Sequence, residues 1–201
     1  MRRNSHLAVI AGFAVAVILL AAGGLLTWGS AYVHNTVQGQ LASQQIFFPP
    51  KAAFAHAKAG TEITPSMIPS VSQYAGQQML TGQQAEAYAD HFIAVHIANM
   101  GAGKTYSQLS AESIAQPNNA KLAGVVATVF KGETLRSMLL NAYGWWKVSQ
   151  IVYIVSLVLF GLGTAAALAS AYLFTFGRRP RGIGRVAQPE GHETITPTTT
   201  A

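Results

Sequence analysis

Two long stretches of this chain carry no charged residue: the 47 residues between Arg3 and Lys51, and the 30 between Lys147 and Arg178. Within them lie two apolar runs, Leu7–Trp28 and Val148–Phe176. At 1.5 Å per residue the first run, 22 residues, is about 33 Å long as a helix. A hydrocarbon core is about 30 Å thick. The second run has 29 residues, so it must tilt or begin within the headgroup layer. The sequence therefore predicts two transmembrane helices.

Aromatic residues flank both runs on the same side: Trp28 and Tyr32 after the first, Tyr143, Trp145 and Trp146 before the second. Such residues form the interfacial belt of a bilayer. Arg2 and Arg3 precede the first span, and Arg178, Arg179, Arg181 and Arg185 follow the second. Basic residues within about 15 positions of a span end stay cytoplasmic. Both termini are thus expected in the cytoplasm. The expected organisation is a cytoplasmic N-terminus at 1–6, a first span at 7–28, an extracytoplasmic helical domain at 29–147, a second span at 148–176 and a disordered cytoplasmic tail at 177–201. A cleaved signal peptide is the competing reading of the first run, which exceeds the usual apolar length of about 7–15 residues and is followed by no convincing A-x-A cleavage site.

Composition sharpens this. Only 10% of residues are charged and the mean hydropathy is +0.29, against about 25% charged in ordinary soluble domains. The segment from Lys51 to Lys147 is itself nearly neutral, with 7 basic and 5 acidic residues. The net charge of +6 includes the arginines that flank the spans, and no basic stripe with interleaved aromatics points to nucleic acid. With no cysteine, disulfides and thiolate chemistry are excluded. Small residues recur every fourth position at Ala8, Gly12 and Ala16 and at Gly161, Ala165 and Ala169. These two faces, at matching depth in an antiparallel pair, are expected to pack on each other.

Between the spans the reading is all-α. The first helix is expected to continue to Phe47-Phe48-Pro49-Pro50, where the prolines stop it. Residues 51–70 read as loop. Thr81-Gly82-Gln83-Gln84 has capping-box spacing and opens a helix with Ala85, Tyr88, Phe92 and Val95 on its apolar stripe, ending at Met100. Thr105 to Gln108 opens a second, ending before Pro117. Asn118 or Asn119 caps a third, with an interruption near Gly132. Two Gly-Gln-Gln triplets, at Gly76 and Gly82, are too short to count as a repeat.

Three features invite chemistry. Ala98-Asn99-Met100-Gly101-Ala102-Gly103-Lys104-Thr105 nearly matches a phosphate-binding loop. Such a loop needs a strand before it, where this sequence predicts a helix. Glu86, Asp90, His91 and His96 form the one local group of metal-ligand types. His91 and His96 are five apart, so they cannot act like the i, i+4 pair of H-E-x-x-H. A site from Asp90, His91 and His96 would need His34 or His56 to fold over it. No G-x-S-x-G elbow marks a serine nucleophile. The third feature is a glutamine-rich surface, with eleven glutamines from Gln38 to Gln116.

The stretch Tyr74-Ala75-Gly76-Gln77-Gln78 through Gly82-Gln83-Gln84-Ala85 to Tyr88-Ala89-Asp90-His91-Phe92-Ile93-Ala94-Val95-His96, with Lys104-Thr105-Tyr106 and Asn141-Ala142-Tyr143-Gly144-Trp145-Trp146, resembles a group of actinobacterial two-span membrane proteins without an assigned function. Some of these are described as aromatic ring-opening dioxygenases, but the residues here supply no preformed iron site. The resemblance implies a Gram-positive plasma membrane and adds no catalytic residue. The expectation is an integral plasma-membrane protein, without cofactor or enzymatic activity, that acts with a protein partner in interaction or assembly within the cell envelope. The alternative is a metal-dependent envelope enzyme or sensor using Asp90, His91 and His96.

Overall fold

The computed structural model describes residues 2–176, with side chains from His6 onward. The expected tail at 177–201 and the side chains of Arg2 and Arg3 lie outside the described residues. The fold is all-helical. The elements are α1 (Arg2–Ser43), α2 (Lys51–Ala55), a 3-10 turn (Pro65–Met67), α3 (Ile68–Val71), a second 3-10 turn (Ser72–Tyr74), α4 (Gly82–Tyr88), a π-helical turn (Ala89–Ile93), α5 (Ala94–Met100), α6 (Tyr106–Ala115) and α7 (Ala120–Phe176). Among the described residues the one strand-like contact is an isolated bridge between Phe47 and Gln78.

Helices α1 and α7, 42 and 57 residues long, pack along each other. As the number rises on α1, that of its neighbour on α7 falls. Gly12 meets Ser170, Gly23 meets Phe160, the Ser30 hydroxyl donates to the Ser149 carbonyl at 2.7 Å and the His34 ring lies on Trp146. Both are long and apolar enough to cross a membrane, and their apolar windows are only 17% and 11% buried. The core helix of a soluble protein would have hidden most of that surface.

The seam between them corrects the four-residue stripes. Along the seam the buried positions are Val9, Ala16, Gly23, Ser30 and Val37 on α1 and Ser149, Ser156, Gly163 and Ser170 on α7, each seven apart. Gly161, Ala165 and Ala169 are exposed, as is Ala8, while Gly12 is half-buried and Ala16 buried. The reason is rotational. Four residues turn an α-helix about 40° past a full circle, so a four-step stripe soon leaves the interface. Seven residues drift only about 20°, which gentle left-handed winding absorbs. A side chain at Gly163 would sit 2.9 Å from Leu20 and 3.3 Å from the Ala16 carbonyl, which identifies the point of close backbone approach.

Beyond the apolar windows the same two helices carry the domain. Its core joins Val37 and Leu41 of α1 and Val129, Leu139 and Trp146 of α7 to Phe48, Met67, Val71, Met79, Ile93, Ile97 and Leu109. Helix α1 ends at Ser43, earlier than the prolines would dictate. Gln45 turns left-handed at φ 52°, and the Ala42 carbonyl accepts both from Gln45 N at 3.1 Å and from Gln78 Nε2 at 2.9 Å. Residues 51–70, expected as loop, contain the short α2 and α3. Helix α7 is not interrupted near Gly132, where the missing side chain instead lets Ile97 approach: an added Cβ would lie 2.8 Å from Ile97 Cγ1. Asn119 caps α7 by accepting from Leu122 N at 3.1 Å.

Candidate functional site

Polar and aromatic side chains gather along α4, the π turn and α5. Both expected capping boxes form: Thr81 with Gln84, and Thr105 with Gln108. Gln84 does more than cap. Its Oε1 accepts from Leu80 N at 2.7 Å and Thr81 N at 3.0 Å, and its Nε2 donates to Gln77 Oε1 at 3.0 Å. The two Gly-Gln-Gln triplets therefore bond to each other, and Gln84 is buried with its polar atoms paired.

The innermost stripe of this helix is Ala85, Ala89, Ile93 and Ile97, with Tyr88, Phe92 and Val95 packed around it half-buried. Equal four-residue steps would drift on a pure α-helix. The wider π turn at Ala89–Ile93 takes back part of that rotation, so all four positions stay on the core.

Asp90 and His91 sit within this turn and His96 follows on α5. Asp90 Oδ1 accepts from Arg136 Nη2 at 2.7 Å and Nε at 3.2 Å. That hydrogen bond raises the Arg136 pKa above its ordinary value, against the lowering effect of burial. Arg136 also lies 3.5 Å from Glu133. The Nδ1 of His96 is 2.8 Å from the Phe92 carbonyl, His34 stacks on Trp146, and His56 is exposed at the end of α2. Among the described residues no three histidine or carboxylate side chains gather to hold a metal. Asp90, His91 and His96 are thus not brought into one ligand set, and neither His34 nor His56 folds over them.

The phosphate-loop string is a connection between helices. Helix α5 precedes it, Ala102 and Gly103 turn at φ 51° and 77°, and Gly101 N donates to the Ile97 carbonyl at 2.8 Å. Lys104 Nζ is held by both Glu112 oxygens, at 2.6 and 2.8 Å. A loop that follows a helix, with its lysine tied to a carboxylate, does not form the strand-to-helix cradle that phosphate needs.

The aromatic positions divide. Trp28, Tyr32 and Trp145 are exposed and Tyr143 is half-buried, with Lys147 Nζ 5.8 Å from its ring centroid. Trp146 was expected in the same belt but is only 5% exposed. Its ring centroid lies 3.8 Å from that of His34, and its Cβ abuts Gly82, where any side chain would collide. Consecutive helical residues point about 100° apart, so Trp145 and Trp146 cannot share one outward face.

Several concavities lie among the described residues, three of them with side chains that bear on function. A groove of about 530 Å³ between α1 and α7 is lined by Thr27, Ser30, His34, Asn35, Gln150 and Tyr153 among others. A shelf of about 350 Å³ on the domain exposes Tyr106, Phe130 and Met138. A cleft of about 290 Å³ lies among Phe47, Phe48, Pro50, Glu62, Tyr88 and Phe92. In the sequence Phe47 and Phe48 mark only a helix end, and no pattern singles out Glu62. The one signal was an aromatic doublet beside two prolines, which fixes ring positions without indicating what they face. No protein-family model matches the chain, and neither does any curated protein or solved structure.

Proposed function

We propose that this chain is an integral plasma-membrane protein whose two antiparallel spans hold a helical domain outside the cytoplasm, where it docks a protein partner in cell-envelope assembly. The observation that carries the docking role is an apolar strip on the domain part of α7. Phe130 and Met138 are 54% and 65% exposed, with Tyr106 exposed in the same shelf. Contiguous exposed apolar surface outside a bilayer marks a contact site for another macromolecule. Two continuous helices make that strip rigid with respect to the spans, so a partner bound there is held at fixed height above the membrane. The arginines beyond the span ends support cytoplasmic termini, and the resemblance to actinobacterial two-span proteins supports a plasma membrane.

A photo-crosslinking side chain at Phe130 or Met138, activated in intact cells, is expected to trap a discrete protein adduct, and one at Leu162 only lipid. Return of monomer alone from Phe130 and Met138 would overturn the assembly role. Topology has its own test, since the chain lacks cysteine. Of single cysteines at Ser72 and Ser5, an impermeant reagent added to cells should label only Ser72.

A further inference from the structure

The cleft on the domain beside α4 combines aromatic walls with one unpaired carboxylate. Phe48 meets Tyr88 edge to face at 5.4 Å between centroids, and Tyr88 leads to Phe92 at 4.6 Å. Phe47 and Pro50 stand among the same lining residues, and Phe47 is exposed. The rings pack in a continuous row, so the wall is rigid. Aromatic faces are electron-rich and attract cations, most strongly when the cation is partly desolvated.

The charge balance of the cleft points the same way. Glu62 is the one ionisable acid or base in the lining apart from the Tyr88 phenol. The ion pairs among the described residues are Lys104–Glu112, Arg136–Asp90 and Arg136–Glu133, and Glu62 enters none of them. Lys58 shares its turn through Lys58 N donating to the Ile63 carbonyl at 3.0 Å, yet its ammonium does not pair with Glu62. Burial, with the Glu62 charge adding to it, raises the Tyr88 pKa above its ordinary 10.0. The phenol therefore stays neutral and the cleft carries one net negative charge. A hard metal ion would need several oxygen ligands, which a single carboxylate does not supply. A volume of about 290 Å³ suits a compact group rather than an extended ligand.

We propose that the cleft formed by Phe47, Phe48, Glu62, Tyr88 and Phe92 binds a compact organic cation of the trimethylammonium class. The aromatic walls take the methyl-covered charge, and the Glu62 carboxylate neutralises it from the open side. The same group occurs on free solutes and on phosphocholine headgroups. This binding depends neither on the membrane topology nor on a protein partner.

The test uses the full chain in an uncharged maltoside detergent, with choline titrated by calorimetry and its neutral isostere 3,3-dimethylbutan-1-ol as control. Choline should bind saturably, with the isostere about tenfold weaker or more, since only the charge differs. Glu62→Gln and Phe47→Ala, both at exposed positions, should each weaken choline about tenfold, whereas Glu86→Gln should leave it unchanged. Tighter binding of phosphocholine than of choline assigns the natural ligand to a lipid headgroup, and weaker binding assigns it to a free ammonium solute. The proposal is overturned if choline shows no saturable binding up to about 10 mM, if the isostere binds equally well, or if Glu62→Gln binds choline like the parent chain.

Discussion

Helices α1 and α7 pass through two regions that bury opposite kinds of residue. Along the apolar windows the seam is built from Ala16, Gly23, Ser30, Ser149, Ser156, Gly163 and Ser170, while Ile10, Ile18, Leu25, Ile154, Leu162 and Leu168 face outward. In the domain the buried set is large, with Met67, Val71, Met79, Val129 and Trp146, and exposed positions such as Lys121 and Lys131 are polar. The difference teaches what drives each association. Where water is the solvent, hiding large apolar side chains is favourable at about 25 cal/mol per Å². In surroundings as apolar as leucine, such as the bilayer proposed for the apolar windows, that drive would vanish and close backbone approach with interhelical hydrogen bonds would take over. The Thr27 and Ser156 hydroxyls, 3.0 Å apart, and the Ser30 bond to the Ser149 carbonyl are of that second kind.

The largest expected effect tests the domain side. Met79→Ala, at a fully buried position, should destabilise by about 2–5 kcal/mol, read as a fall in melting temperature in mild detergent. Ile154→Ala on the outer face of the span should stay within about 0.5 kcal/mol. Equal losses would erase the contrast between the regions. Next comes the seam. Gly163→Leu should cost about 1–3 kcal/mol by overpacking against Leu20 and Ala16, and Gly161→Leu, with open space around it, should cost far less. A reversed order would restore the four-residue stripe.

Thr81→Ala removes the cap of α4 and should cost about 1 kcal/mol, with faster amide exchange at Gln84. Asp90→Asn breaks a pair whose side chains are each about one-third exposed, so screening holds the loss to about 1 kcal/mol or less. The smallest effect is one of pH. Because the Tyr88 pKa is raised on folding, by burial and then by Glu62, the folded state holds its proton longer and stability declines as pH rises above 10.0. In alkaline melting curves, Tyr88→Phe should flatten that decline.

Much of the architecture was legible because it rests on local rules. Charge-free length marked the two helices long and apolar enough to cross a membrane, Thr-x-x-Gln spacing marked both capped helices, and the Asn118-Asn119 pair marked the start of α7. Local rules do not reach positions where rotation over distance decides the outcome. Gly161, Ala165 and Ala169 satisfied a spacing rule yet face away from α1, and Trp146 shared a motif with Trp145 yet turned into the core. Of the candidate chemistry, Asp90, His91 and His96 were named as potential ligands, whereas the fold engages Asp90 with Arg136, a residue far along the chain. The cleft was illegible for the same reason: Phe47, Glu62 and Tyr88 are separated in sequence, and no local pattern joins them.

The sequence alone determined that this chain is helical, that two of its helices are long and apolar enough to span a membrane, and where several of its helices begin. Those properties depend on composition, hydropathy and capping within a few residues. Only the tertiary structure decided which small residues form the seam, which aromatic is core, and which side chains share a cleft. These depend on helix phase and on the π turn at Ala89–Ile93, where a rotation of a few tens of degrees moves a side chain from one neighbour to another.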